Sequence, residues 1–125
     1  MTDLPTIVKE AWIHREGPAV LATIGAERKP NAIYIGEVQY EANEGFIVAD
    51  NYFHKTRANI HNGSTGSILF ITKEGKSYQI KGPLTYHTDG PVFKSMQTWH
   101  NPKHPGVAAV CLHIEEVFCG AEKLL

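Results

Sequence analysis

Short apolar runs separated by turn-forming clusters set the rhythm of this chain. Between Asp3 and Arg15, the residues Ile7, Val8, Ala11 and Trp12 recur at helical spacing, which predicts a helix with those four facing the core. Thr2 or Asp3 can cap it, Pro5 suits its first turn, and Gly17-Pro18 ends it. Ala19 to Ile24 is short and β-branched enough for a strand, and Gly25 to Lys29 reads as a polar turn. Pro30 to Tyr40 alternates, with Ile33 and Ile35 on one face and Ala32 and Tyr34 on the other, as a second strand does. Asn43-Glu44-Gly45 signals a hairpin turn into a third strand, Phe46 to Ala49.

A short helix is expected from His54 to Ile60, closed by Asn62-Gly63. Gly66 to Thr72 is the fourth strand, and Glu74-Gly75-Lys76 turns into the fifth, Ser77 to Thr88, with a bend at Gly82-Pro83. Asp89 caps another helix, with Pro91 in its first turn and Val92, Phe93, Met96 and Trp99 on its apolar side. Asn101-Pro102 breaks that helix, and Val107 to Phe118 is the last strand. Six strands joined mostly by hairpins predict a mainly β, antiparallel, Greek-key-like sheet, and closing it into a barrel removes exposed edges.

At 125 residues the chain suits a single domain, residues 1–125, with one core. Twelve basic residues face thirteen acidic ones, and no Lys/Arg block occurs, so binding to nucleic acid or to an anionic membrane has no electrostatic support. No apolar run reaches the roughly 18–20 residues of a membrane span. The first residues lack the charge and apolar run of a secretion signal. Cys111 and Cys119 form neither a CxxC pair nor a zinc-finger spacing, and a cytoplasmic protein with reduced thiols is expected.

The segment His54-Lys55-Thr56-Arg57-Ala58-Asn59-Ile60 carries the most chemistry. It follows an apolar strand and a turn, Asn51-Tyr52-Phe53, and opens a helix where backbone N–H groups are unpaired. Lys55 adds a charge and Thr56 a hydroxyl, a socket for one phosphate; from residue types alone a solvated lysine and a capping threonine are the commoner reading, since Lys-Thr is a common dipeptide with no Gly-rich loop before it. A polar residue on the strand Pro30 to Gly36 could meet a ligand lying across the sheet. Trp99, Trp12, Tyr52 and Phe53 serve either a planar cofactor or the core. Pro102 spoils a helical metal pair of His100 and His104, and Cys111 with His113 supplies two ligands where a metal site needs three or four, so no metal is expected. No GxSxG occurs and no Ser or Cys has an activating context, which disfavours hydrolysis.

Taken in order, the small-residue strand Ala19 to Gly25, the strand from Pro30, the motif His54-Lys55-Thr56-x-x-Asn59-Ile60, and Tyr78-Gln79-Ile80-Lys81-Gly82 resemble the flavin-binding split-barrel family related to pyridoxamine 5′-phosphate oxidase. The likeness is greatest to its small bacterial FMN-binding proteins; Thr88-Asp89-Gly90-Pro91-Val92-Phe93 also matches, and the resemblance runs from about Gly17 to Val117. It implies a six-stranded split barrel forming a homodimer, with one FMN per subunit near the interface. Lys55 and Thr56 then match the phosphate-binding pair, joined by His54 at the head of the motif. Asn31, Ile33, Tyr34 and Ile35 match the strand beside the flavin. Ala49, Asp50 and Asn51 match the segment whose backbone approaches the ring, and Gln79 a position beside it. Trp99 lies in the region that in relatives reaches the partner's flavin. Oxidases of pyridoxamine phosphate are longer and carry extra basic residues without an equivalent here, so that reaction is not expected. The implied role is redox, as an electron carrier or an oxidoreductase of a small substrate. The alternatives are a barrel for haem or a deazaflavin, with His54 or His113 as the haem ligand, and a cofactor-free binding module.

Overall fold

The computed structural model describes residues 3–125. One antiparallel sheet curls around a central core, and its strands are best named in chain order. Helix α1 (Thr6–Ile13) leads into β1 (Arg15–Ile24), then β2 (Pro30–Ile35), β3 (Val38–Glu41) and β4 (Gly45–Asp50). Helix α2 (Lys55–His61) precedes β5 (Thr65–Thr72) and β6 (Ser77–His87); α3 (Gly90–Trp99) precedes β7 (Ala108–Leu112), β8 (Glu116–Cys119) and the two-residue β9 (Glu122–Lys123). The strand order is β2-β1-β5-β6-β7-β4-β3, with β8 also pairing β6. This is the expected split barrel, with nine assigned strands instead of six.

One of the extra strands, β8, follows from a crossing. Strand β6 pairs with β5 up to Pro83 and with β7 from Leu84 onward, so it passes from one half of the sheet to the other. The predicted bend at Gly82-Pro83 is that crossing. The chain running antiparallel to β6 must bend with it, so the single strand expected from Val107 to Phe118 divides into β7, beside residues 84–87, and β8, beside residues 78–81. At the corner, His113 N–H donates to Pro83 O (2.9 Å) and Glu115 N–H to Lys81 O (2.9 Å). A Cβ on Gly82 would lie 1.6 Å from His113 O, which is why only glycine serves there. The expected strand Pro30 to Tyr40 divides as well, but between two partners: β2 pairs with β1 in one half, β3 with β4 in the other.

The first helix is shorter than its pattern predicts. It stops at Ile13, and β1 starts at Arg15, opposite Thr72. The expected stop at Gly17-Pro18 is instead a bulge inside β1, with Gly17 at φ 67° and the register slipping between Glu16 and Val20. Arg15 favours the early break: its guanidinium lies 3.7 Å from the Trp12 ring centroid and donates to Trp12 O. Pro5 holds the cap position with no side-chain cap bond, so the Asp3 cap is not made; Thr2 lies outside the described residues. Val8 and Trp12 are buried, but Ile7 is 58% exposed, against expectation.

The interior holds Leu21, Phe46, Ile68, Ile80, Val110 and Leu112, with Val8 and Trp12 from α1 closing one side. Trp12 meets Phe46 and Phe70 edge-on at 4.9 and 5.0 Å. Helix α3 covers the outside of β4 and β7. Its Val92 and Met96 are buried against Ile47, Ala49, Ala109 and Cys111, with Phe93 and Trp99 at the margin. Both faces of β4 and β7 are therefore covered, and all their residues are buried. No helix among the described residues is long and apolar enough to cross a membrane.

Candidate functional site

Strand β2 is an edge strand, paired only with β1, and it ends beside the turn that follows β4. Between them lies a cleft of about 380 Å³. Ile33, Tyr34, Ile35 and Gly36 form one wall, Ala49, Asn51, Tyr52 and Phe53 the other, with Glu37 and His104 at the margin. Five of the predicted site residues, Ile33, Tyr34, Ile35, Ala49 and Asn51, thus line a single cavity. The unpaired edge of β2 also leaves backbone groups free along it, as an edge strand must.

Next to this cleft is a polar network built on four side chains. Asn31 Nδ2 donates to Thr56 Oγ1 (3.0 Å) and to Thr23 Oγ1 (3.1 Å), and Asn59 Nδ2 donates to Thr23 Oγ1 (3.0 Å). Each threonine hydroxyl accepts here and still has its own proton to give. Thr56 is buried, whereas Lys55 beside it is exposed. Helix α2 has only seven residues and His54 makes no side-chain cap bond, so the helix dipole contributes little to this corner. The useful elements are the Lys55 charge and the hydroxyls.

Asp50 holds the turn after β4 in place with its carboxylate. Its side chain is 0% exposed and receives four hydrogen bonds: Arg57 Nε (2.8 Å), Arg57 Nη2 (3.0 Å), Tyr86 O–H (2.6 Å) and Phe53 N–H (3.0 Å). The bond to Asp50 holds Arg57 well above the usual guanidinium range, and burial, with Asp50 second, pushes the Tyr86 hydroxyl up. The carboxylate fastens the β4–α2 turn, which forms the cleft wall. Even the backbone here is partly engaged, since Ala49 N–H donates to Glu37 O and Asp50 O accepts from Val107 N–H.

Asn51 is likewise tied down. Its Nδ2 donates to Glu37 Oε1 (2.8 Å), and its Oδ1 accepts from Gly106 N–H (2.9 Å) and lies 3.2 Å from His100 Nε2. Glu37 Oε2 accepts from Asn101 N–H (2.6 Å). This knot pins the segment after α3 against the cleft, and Tyr52 O–H meets His104 Nδ1 there at 3.3 Å. Sequence reasoning missed Glu37, His100 and His104 in this setting. The histidines were weighed only as a metal pair, and nothing local marks Glu37, whose partners are 14 and 64 residues away.

The remaining predicted residues lie apart. Gln79 lines a second groove of about 380 Å³ on the outside of β1, β5 and β6, with Ala22, Ile24, Ser67 and Lys81. Trp99 packs on the margin of the α3 cluster, and its Nε1 is buried without an acceptor. Trp12 belongs to the core, as its ring contacts show. His113 hydrogen-bonds to Thr85, and neither it nor His54 lines the cleft. Among the described residues no group of three or more His, Cys, Asp or Glu could hold a metal.

No curated protein matches the sequence. Solved structures do. HupZ from Group A Streptococcus is 23% identical with a TM-score of 0.80, covering 98% of this chain and 94% of that one. An FMN-binding protein from Syntrophomonas wolfei is 15% identical with a TM-score of 0.67, covering 90% and 80%. HutZ, the heme storage protein from Vibrio cholerae, is 18% identical with a TM-score of 0.67, covering 94% and 95%. At these identities the likeness is one of fold, and it agrees with the curled sheet described above. The sequence itself carries the closer relation: residues 8–119 match the model of the pyridoxamine 5′-phosphate oxidase family, and the chain belongs to that family.

Proposed function

We propose that this chain is an FMN-binding redox protein, an electron carrier or an oxidoreductase of a small substrate, working as a cytoplasmic homodimer. The carrying observation is the cleft that gathers Ile33, Tyr34, Ile35, Ala49 and Asn51 beside the Asn31–Thr56 network. Its volume lies within the range of cofactor pockets, about 300–1,000 Å³. Its lining, apolar with a few polar groups, suits a planar ring, and Lys55 with the Thr56 hydroxyl suits a phosphate.

When bound, FMN supplies one- or two-electron redox chemistry, and the protein tunes it. Ile33 and Ile35 present an apolar wall, which disfavours charge on whatever lies against them. Asn51 and Glu37 hold the opposite wall in place. Lys55 binds the phosphate and Asn31 orients the Thr56 hydroxyl toward its role. Asp50 acts through Arg57 and Phe53, keeping the turn in register.

In this reading the dimer surface is not the apolar side of α3, the face of Phe93, Met96 and Trp99. The apolar side of α3 is already covered by its own sheet. An uncovered apolar face lies instead on the outside of β2, β1 and β5. Tyr34, Val20 and Leu69 stand in register across it, and Tyr34 is 75%, Ile24 53%, Ile71 46% and Leu69 44% exposed. A patch of this kind on a soluble protein marks an interaction site. A second copy seated there would lie between the groove containing Gln79 and the cleft containing Tyr34, which supports sites completed by both subunits.

An absorbance spectrum of the purified protein, with mass analysis of what heat releases, tests the reading. Flavin bands and released FMN support it. Haem or deazaflavin bands replace FMN with that cofactor. A colourless protein that also ignores added FMN overturns the reading in favour of a binding module.

A further inference from the structure

Away from the cleft, two imidazoles converge on one hydroxyl. His87 Nε2 lies 2.7 Å and His113 Nε2 2.8 Å from Thr85 Oγ1. Thr85 and His87 belong to β6, and His113 follows β7, still laddered through its N–H to Pro83 O. Thr85 stands opposite Cys111 in the β6–β7 register, so the cluster occupies one face of two rigid strands. Thr85 is exposed and both histidines are half-buried, which leaves the convergence point open to solvent. None of the three lines the flavin-sized cleft.

A hydroxyl has one proton, so Thr85 can donate to one Nε2 and must accept from the other. One Nε2 therefore carries a proton in this arrangement, and an ion entering the site requires that ring to take its other tautomer, with the proton on Nδ1, so that both Nε2 atoms present lone pairs. The two nitrogens are no farther apart than those two bonds laid end to end. Metal–imidazole bonds of about 2.0–2.1 Å need the two nitrogens within about 4.2 Å of each other, so the rings turn toward one another beside the Thr85 oxygen as the ion enters. Neutral imidazole suits zinc, copper and nickel, whereas magnesium and calcium prefer oxygen ligands. Cys111 is buried, directs its Sγ at Glu44 O and sits 4.0 Å from His113 Nδ1, so it is a neighbour and not a third ligand. Water completes the shell, and Thr85 adds a weak oxygen.

We propose that His87 and His113, with Thr85 between them, form an open surface site for an imidazole-seeking divalent transition ion, of the copper(II), nickel(II) or zinc(II) class. With two protein nitrogens the ion is exchangeable, not structural. The site is independent of any flavin.

The test is calorimetric titration of copper(II), zinc(II) and magnesium(II) into protein free of any histidine tag. One copper ion per chain is expected, with zinc weaker and magnesium silent. His87→Ala and His113→Ala should each weaken copper by about tenfold or more, because a single imidazole remains. His14→Ala, an exposed histidine elsewhere, should change nothing. Copper binding weaker than about 100 µM, or binding unchanged in the double variant, overturns the proposal. Electron paramagnetic resonance of the copper-loaded wild-type protein gives a readout that does not depend on folded variants. Two coordinating nitrogens support the site, and one or none sinks it.

Discussion

Asp50 and Arg57 form a doubly hydrogen-bonded ion pair across the turn between β4 and α2, with Arg57 Nε 2.8 Å from Oδ2 and Nη2 3.0 Å from Oδ1. The aspartate is wholly buried, whereas the arginine side chain keeps 36% of its exposure. The two partners are therefore unequal. Removing Arg57 strands a carboxylate in the interior, while removing the carboxylate leaves a cation that water can reach.

Arg57→Ala should cost about 2–4 kcal/mol of unfolding free energy, through the buried charge left behind. Arg57→Lys should recover part of it. Urea unfolding measures both, and a change below about 0.5 kcal/mol in Arg57→Ala would mark the pair as a surface contact.

Lys55→Ala should leave the fold intact, since the side chain is exposed. FMN affinity should fall about ten- to a hundredfold, the value of one charge-assisted phosphate contact of about 1.5–3 kcal/mol. Fluorescence titration reads it, with near-ultraviolet circular dichroism as the check on folding. Equal affinity in the variant would place the phosphate elsewhere.

At Gly82 a methyl group would overlap His113 O. Gly82→Ala should open the corner where β6 crosses between the two halves and cost more than about 3 kcal/mol. Gly63→Ala is the contrast: a Cβ there meets nothing within 4 Å, so its cost is the backbone strain of φ 89° alone. Thermal melts of the two variants should differ widely.

Alkaline pH should destabilise the folded chain. Burial first, then Glu44 and Glu41, push the Cys111 thiol from near 9 to about 12. Burial first, then Asp3, push the Tyr40 hydroxyl from near 10 to about 12. Between those values the folded chain keeps protons that the unfolded chain loses. The stability of these groups is therefore fully present below pH 9 and lost as pH rises toward 12, with a slope of about 1.4 kcal/mol per pH unit for each group. Urea unfolding across that range measures the slope, and Cys111→Ser should delay its onset toward pH 10.

Leu69→Lys puts a charge on the uncovered face of β2, β1 and β5, on a side chain 44% exposed in the single chain. Sedimentation should find a dimer in the wild type and monomer in the variant, with monomer stability nearly unchanged. A wild-type monomer at micromolar concentration removes the second copy from the flavin site.

The periodic segments were legible because their cause is local. Alternation marked β2, helical spacing marked α3, and Gly82-Pro83 announced the bend, since backbone sterics act on neighbouring residues. Ordered short motifs disclosed the family for the same reason. The division of β7 from β8 was illegible because it falls where their distant partner β6 crosses between the halves, and that of β2 from β3 because the two pair with different strands, β1 and β4. Ile7 was misassigned because its helix spacing does not say how far α1 tilts from the core.

The sequence by itself determined the mainly β class, the family and five residues of the candidate cleft. Only the tertiary structure decided that Asp50 belongs to Arg57 and Tyr86, that Glu37 and Asn51 knot the cleft wall, and that α3 turns its apolar side inward. Those outcomes depend on long-range pairing. Whether a polar group serves a ligand or the fold is settled by which distant partner reaches it first once the core has closed.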